Sequence, residues 1–190
     1  MRAKTKVVAL SLCAVMLVAA SVATTIAFLK SSDSVKNTFT VGKVSITLDE
    51  AKVNEYGQTT GEVRVKENTY KLIPGHEYTK DPTVHLTAGS EKSYLFVKVE
   101  NGLSAIEDDT KIETQILANG WEKLNNVAGV YYREAEATAT NADYPVFGNF
   151  TLAGNADVAG YADAEIKVTA YAIQADGFTS ATAAWTAGNF

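Results

Sequence analysis

The chain has 190 residues, 46% hydrophobic and 21% charged, which suits one foldable domain of ordinary size rather than two. Its net charge of −5 excludes nucleic acid as a default partner, because an acidic surface repels phosphate. One cysteine and two histidines exclude an internal disulfide framework and a cysteine-based zinc site, and they leave little material for general-base chemistry.

The first segment reads as an export signal. Arg2, Lys4 and Lys6 precede an uncharged stretch over 7–29 whose second half is rich in Ala, Ser and Thr. Thr25 and Ala27 place small residues three and one positions before a cut between Ala27 and Phe28. The alternative is a retained membrane anchor, since about 20 apolar residues can span a bilayer. Against it, only Lys30 follows, where a stop-transfer cluster is expected. Cys13 follows Leu12, where a lipoprotein signal needs a small residue, so it is apolar filler. Cleavage leaves 163 residues, 14 basic and 22 acidic, with a net charge of −8 and no cysteine. The closing residues TAGNF carry neither a hydrophobic tail nor a wall-sorting sequence, so covalent wall anchoring is not expected.

Residues 28–41 are expected to form an extended arm. Phe39 and Val41 share one parity, whereas Val44, Ile46 and Leu48 share the other. A one-residue slip turns every side chain of a strand over, so Gly42 marks a bulge or hinge between the arm and the body. Strand candidates then follow at 62–66, 69–73, 83–87, 93–100, 127–133, 146–152 and 164–174. In 93–100, Leu95, Val97 and Val99 alternate with Tyr94, Phe96 and Lys98. Pro74 and Gly75 signal a type II turn. A helix is expected over 104–119, with Glu107, Asp108 and Asp109 near its positive end, and a shorter one over the alanine-dense 179–185. About eight short strands with turns between them predict an all-β fold, a jelly-roll-like antiparallel β-sandwich over 42–190 with one or two short helices in loops.

Catalytic chemistry is hard to find. His76 and Glu77 begin the H-E-x-x-H pattern, but Lys80 stands where its second histidine is required. His85 is the remaining candidate for a zinc set with His76 and Glu77, at spacing more typical of surface residues. Neither the contiguous acids at 107–109 nor Asn155 and Asp157 supply the alternating oxygens of a calcium loop. No nucleophile-elbow motif or phosphate-binding glycine loop is present, and no catalytic residue, metal or cofactor is expected. Nine tyrosines and two tryptophans suit a carbohydrate-binding face, but their strand contexts suit packing better.

The chain resembles the TasA/camelysin (CalY) family of secreted Gram-positive matrix proteins. The resemblance rests on Ala27-Phe28, Ser31-Ser32-Asp33, the run from Asn37 through Gly42, and Val44 through Leu48. It continues in Leu72-Ile73-Pro74-Gly75, Lys80-Asp81-Pro82, Asn119-Gly120-Trp121 and the stretches 95–101, 168–174 and 176–178. It implies processing by a SipW-type signal peptidase, membrane contact only before cleavage, and a jelly-roll domain. It further implies extracellular biofilm fibres, built as a head-to-tail homopolymer in which the N-terminal arm of one subunit adds a strand to the next. Val35, Phe39 and Val41 are the arm side chains that would fill pockets in the acceptor. The alternative is that the arm folds back as its own domain's edge strand. Two other functions stay open: a camelysin-like zinc metalloendopeptidase, whose zinc motif is missing here, and a surface adhesin or carbohydrate-binding module.

Overall fold

The computed structural model describes residues 3–28, 35, 37 and 42–190, and for 20–28 the backbone alone. The chain divides into two units, Met1–Thr40 and Val41–Phe190. In the first, helix α1 (Ala3–Phe28) runs without interruption, as a stretch lacking both Gly and Pro allows. Its apolar residues lie on every side: Val7, Leu10, Leu12 and Met16 are all exposed. Among the described residues, no helix is long and apolar enough to cross a membrane.

Among its described residues the second unit contains ten strands, all paired antiparallel. Strands β1 (Ile46–Val53), β2 (Thr59–Val65), β4 (Thr83–Leu86) and β8 (Ala142–Pro145) form one sheet in the order β2-β1-β4-β8. Strands β5 (Ser93–Asn101), β6 (Glu122–Lys123), β7 (Val130–Ala135) and β10 (Ile166–Gln174) form a second in the order β10-β5-β7-β6. Strands β3 (Glu77–Thr79) and β9 (Asn149–Thr151) pair only with each other. Helices α2 (Ile112–Ala118) and α3 (Ala181–Gly188) complete the unit.

This arrangement corrects the all-β jelly-roll expectation. Among the described residues, three α-helices accompany three sheets that stay separate and unclosed, giving a mixed α/β fold. Two local misreadings contribute. Residues 69–73 form no strand: Lys71 N–H donates to Glu55 O, and the Tyr78 hydroxyl bonds both Lys71 O and Ile73 N. The helix expected over 104–119 is only α2, because Glu107 is buried and bridges Leu152, and Asp108 Oδ1 accepts from Thr110 N in a turn. Gly75, at φ +75°, takes the left-handed conformation that the Pro-Gly turn requires.

The main core draws on all three sheets. Val84 and Leu86 of β4 meet Leu95 and Val97 of β5, with Tyr78 and Phe150 from the β3–β9 ribbon. Trp121 and Phe147 are buried in the same cluster. The opposite face of β5 presents Phe96 to a second cluster beneath Ala181, Ala184 and Trp185 of α3. Strand β5 is therefore covered on both faces, and its neighbour β10 is an edge strand among the described residues.

Candidate functional site

Strand β10 keeps an unbroken register with β5, from Ile166 opposite Asn101 to Gln174 opposite Ser93. At its two ends, Gly102 N donates to Glu165 O, and Ala175 N donates to Lys92 O. In an antiparallel ladder the residues opposite each other alternate between bonded and non-bonded pairs. The odd-numbered residues therefore turn their backbone toward β5. Residues 166, 168, 170, 172 and 174 turn theirs outward, where no described strand pairs with them. The side chains of Ile166, Val168, Ala170 and Ala172 pack on the main core.

A groove of about 820 Å³ runs beside this edge. Leu48, Val65, Tyr70, Leu72, Ile166 and Val168 give it apolar walls. Tyr70 packs edge-on to Phe150 and Tyr78, with centroids 5.4 Å and 5.7 Å away, and its hydroxyl donates to Thr79 O at 3.1 Å. Burial first, and the Glu50 charge second, push that hydroxyl well above the ordinary tyrosine range, so it stays a neutral donor.

Charged side chains share the lining, with Asp49, Lys66, Glu67, Asp163, Glu165 and Lys167 among them, and one buried polar cluster lies within it. Lys80 Nζ donates to Glu50 Oε2 at 2.7 Å, and the two side chains are only 11% and 6% exposed. Asn68 Nδ2 donates to Glu50 Oε1 at 2.9 Å and to Ala51 O, while Asn68 Oδ1 accepts from Val53 N. Asn68 is thereby committed. Lys80 retains two N–H donors, and Glu50 retains unused lone pairs. Outward backbone groups next to apolar pockets are what binding of an extended peptide requires.

The residues singled out in the sequence fall in several places. Thr25, Ala27 and Phe28 lie in the last turns of α1, which puts the expected cut in helical backbone. Val35 is exposed, whereas Phe39 and Val41 lie outside the described residues. Gly42 belongs to no strand or helix, and a Cβ there would come within 2.8 Å of Glu91 Cγ. The zinc candidates have other partners. His76 Nε2 lies 2.9 Å from Tyr56 O, and Glu77 is exposed on β3. Among the described residues, no group of three or more His, Cys, Asp or Glu is placed to hold a metal ion.

His85 instead joins three strands of the first sheet. Its Nδ1 donates to Asp143 Oδ1 at 2.6 Å on β8, and its Nε2 donates to Asp49 Oδ1 at 2.9 Å on β1. Carboxylate oxygens only accept, so the geometry suits the protonated ring, in which both nitrogens donate. Burial alone would lower its pKa; the hydrogen bonds to Asp143 and Asp49 outweigh burial and raise it. Asp49 shows the converse: burial would raise its pKa, but bonds from Arg64 and His85 hold it below the usual carboxylate range. Arg64 also reaches Asp81, at 3.1 Å. Residue spacing does not announce this cluster, since its members meet only through strand pairing.

What the geometry defines is a class of site, an unpaired sheet edge flanked by a groove. No family model, no curated protein and no solved structure matches the chain.

Proposed function

We propose that this protein is a secreted structural subunit that polymerises by strand addition: residues 28–41 of one copy lie along the outer edge of β10 in the next. The observation that carries this reading is the β10 edge itself, nine residues of regular strand with outward backbone groups and a groove of mixed apolar and charged lining alongside. In this reading α1 is the export signal. A SipW-type signal peptidase cuts it between Ala27 and Phe28 and frees the arm for extracellular assembly.

The magnitudes are adequate. Five outward-facing residues offer up to ten backbone bonds at a net ~0.5–1.5 kcal/mol each. Burying a side chain such as Phe39 adds about 1.5–3 kcal/mol. Together these offset an association cost of roughly 4–15 kcal/mol. Because donor and acceptor are different surfaces, the contact is head-to-tail, and it propagates as a filament when its rotation does not close. A net charge of −8 opposes assembly, so mild acidity is expected to favour it.

The experiment is electron microscopy of the mature protein beside the same protein lacking residues 28–41. The truncated chain should stay a folded monomer while the intact one forms fibres. Normal fibres from the truncated chain would end the proposal.

A further inference from the structure

We propose that Lys80 and Asn68 become joined side chain to side chain by an amide cross-link that forms once the body has folded, with Glu50 carrying the protons. The site lies within a single copy of the chain and does not rest on the strand-addition reading. Glu50 is its bridge. One carboxylate oxygen accepts from Lys80 Nζ at 2.7 Å, and the other accepts from Asn68 Nδ2 at 2.9 Å. An amine and a carboxamide thus share one carboxylate, each within the reach that general acid–base catalysis needs.

Burial sets this lysine apart. The Lys80 and Glu50 side chains are 11% and 6% exposed, whereas in the ion pairs of Lys92, Lys98 and Lys123 both partners are 40% exposed or more. An ion pair held out of water is costly, and moving one proton from ammonium to carboxylate leaves both groups neutral. A desolvated, neutral lysine is a nucleophile. Its target is held in place: Asn68 Oδ1 accepts from Val53 N at 3.0 Å. That N–H stabilises the negative charge that develops on the oxygen when the carbonyl is attacked. Leu48, Tyr70 and Phe150 line the groove around the three residues and limit competing hydrolysis.

The step balances without an oxidant, reductant or cofactor. Lys80 gives one proton to Glu50, and its nitrogen then forms a bond to Asn68 Cγ while an electron pair moves onto Oδ1. Glu50 passes that proton to Nδ2, the bond from Cγ to Nδ2 breaks, and the carbonyl re-forms. The attacking nitrogen gives up a second proton through the same carboxylate and keeps the third. Lysine ammonium and carboxamide become a secondary amide and one ammonium ion.

The test uses the wild-type chain, held folded at neutral pH, then denatured and digested with trypsin. An acylated Lys80 is not a trypsin site. The expected product therefore joins residues 67–71 to residues 72–92, lighter by one ammonia than those two peptides together. Tandem mass spectrometry should place the bond between Asn68 and Lys80. Glu50→Gln keeps the side chain's size but not its carboxylate, and it should abolish the joined product. Asn68→Ala retains the ion pair and should likewise release 72–80 as a separate peptide, which serves should the first variant fail to fold. Separate 67–71 and 72–80 peptides from aged wild type, with Asn68 intact or hydrolysed, would overturn the proposal. Loss of water in place of ammonia would also overturn it, by setting the bond on Glu50. An undiminished cross-link in Glu50→Gln would overturn the role of that carboxylate. Fibre formation with and without residues 28–41 is a separate readout that does not depend on this bond.

Discussion

The two four-stranded sheets present four edges, and three carry features that discourage another strand from pairing. On β2 the charges of Glu62 and Arg64 line an exposed strand, Gly61 departs to φ +121°, and a register shift between Ala51 and Val53 breaks the ladder. On β8, four residues long, the backbone faces outward at 143 and 145, and Pro145 has no N–H to offer. Strand β6 is two residues long. These are the usual means of blunting an edge: charge, bulge, proline and brevity. Strand β10 has none of them. It is nine residues long and regular, its inward row is Ile166, Val168, Ala170 and Ala172, and Lys167 is its one charged residue. Among the described residues no strand pairs with this edge, and the strand-addition reading assigns it a partner.

The largest effect should come from making β10 resemble β8. Val168→Pro removes an outward N–H and spares the bonds to β5, so a folded monomer should persist and fibre formation should be lost. Ala170→Pro provides a second variant should the first fail to fold. The matching control, Val63→Lys on β2, should leave assembly unchanged by thioflavin fluorescence and microscopy. Next in size is the donor. Phe39→Ala forfeits about 2 kcal/mol of apolar burial, which raises the critical concentration roughly thirtyfold.

Changes on the blunted sheet should alter stability without altering the joint. His85→Gln removes a cation that faces Asp49 and Asp143, with Arg64 and Asp81 beyond. A raised histidine pKa contributes stability that is full below the unfolded value, near pH 6.5, and is lost as pH rises through the higher folded value. The lowered Asp49 value acts oppositely: its contribution is present above the unfolded carboxylate value and is lost as pH falls through the folded one. The variant should therefore be less stable than wild type by about 1 kcal/mol near pH 6, and the gap should close as pH rises through the raised folded-state value, as read from urea midpoints. A gap independent of pH would show that the imidazolium does not hold these strands. The smallest effect is expected far from the joint. Ser180 Oγ caps α3 by accepting from Ala183 N, so Ser180→Ala should cost ~1 kcal/mol of stability and leave the critical concentration alone.

Alternation in the sequence reads face and not edge, which explains what was legible. The two faces of β5 were evident because Leu95, Val97 and Val99 alternate with Tyr94 and Phe96, and the two rows enter different clusters. The same signal misled at 69–73, where Tyr70 and Leu72 alternate but serve as groove wall on a loop that bonds to Glu55 and Tyr78. Strand number did not reveal closure, because whether sheets join depends on pairings between distant residues, such as those that set β3 against β9 alone. The groove was illegible for the same reason: Glu50, Asn68 and Lys80 are 12 or more residues apart in sequence and meet only in space.

Amide hydrogen exchange along β10, read residue by residue, tests the acceptor edge most directly. In the monomer lacking residues 28–41, the N–H groups of Val168, Ala170 and Ala172 should exchange fast, and those of Thr169, Tyr171 and Ile173 slowly. In fibres of the mature protein both sets should be protected. Continued fast exchange at 168, 170 and 172 within intact fibres would contradict strand addition at β10.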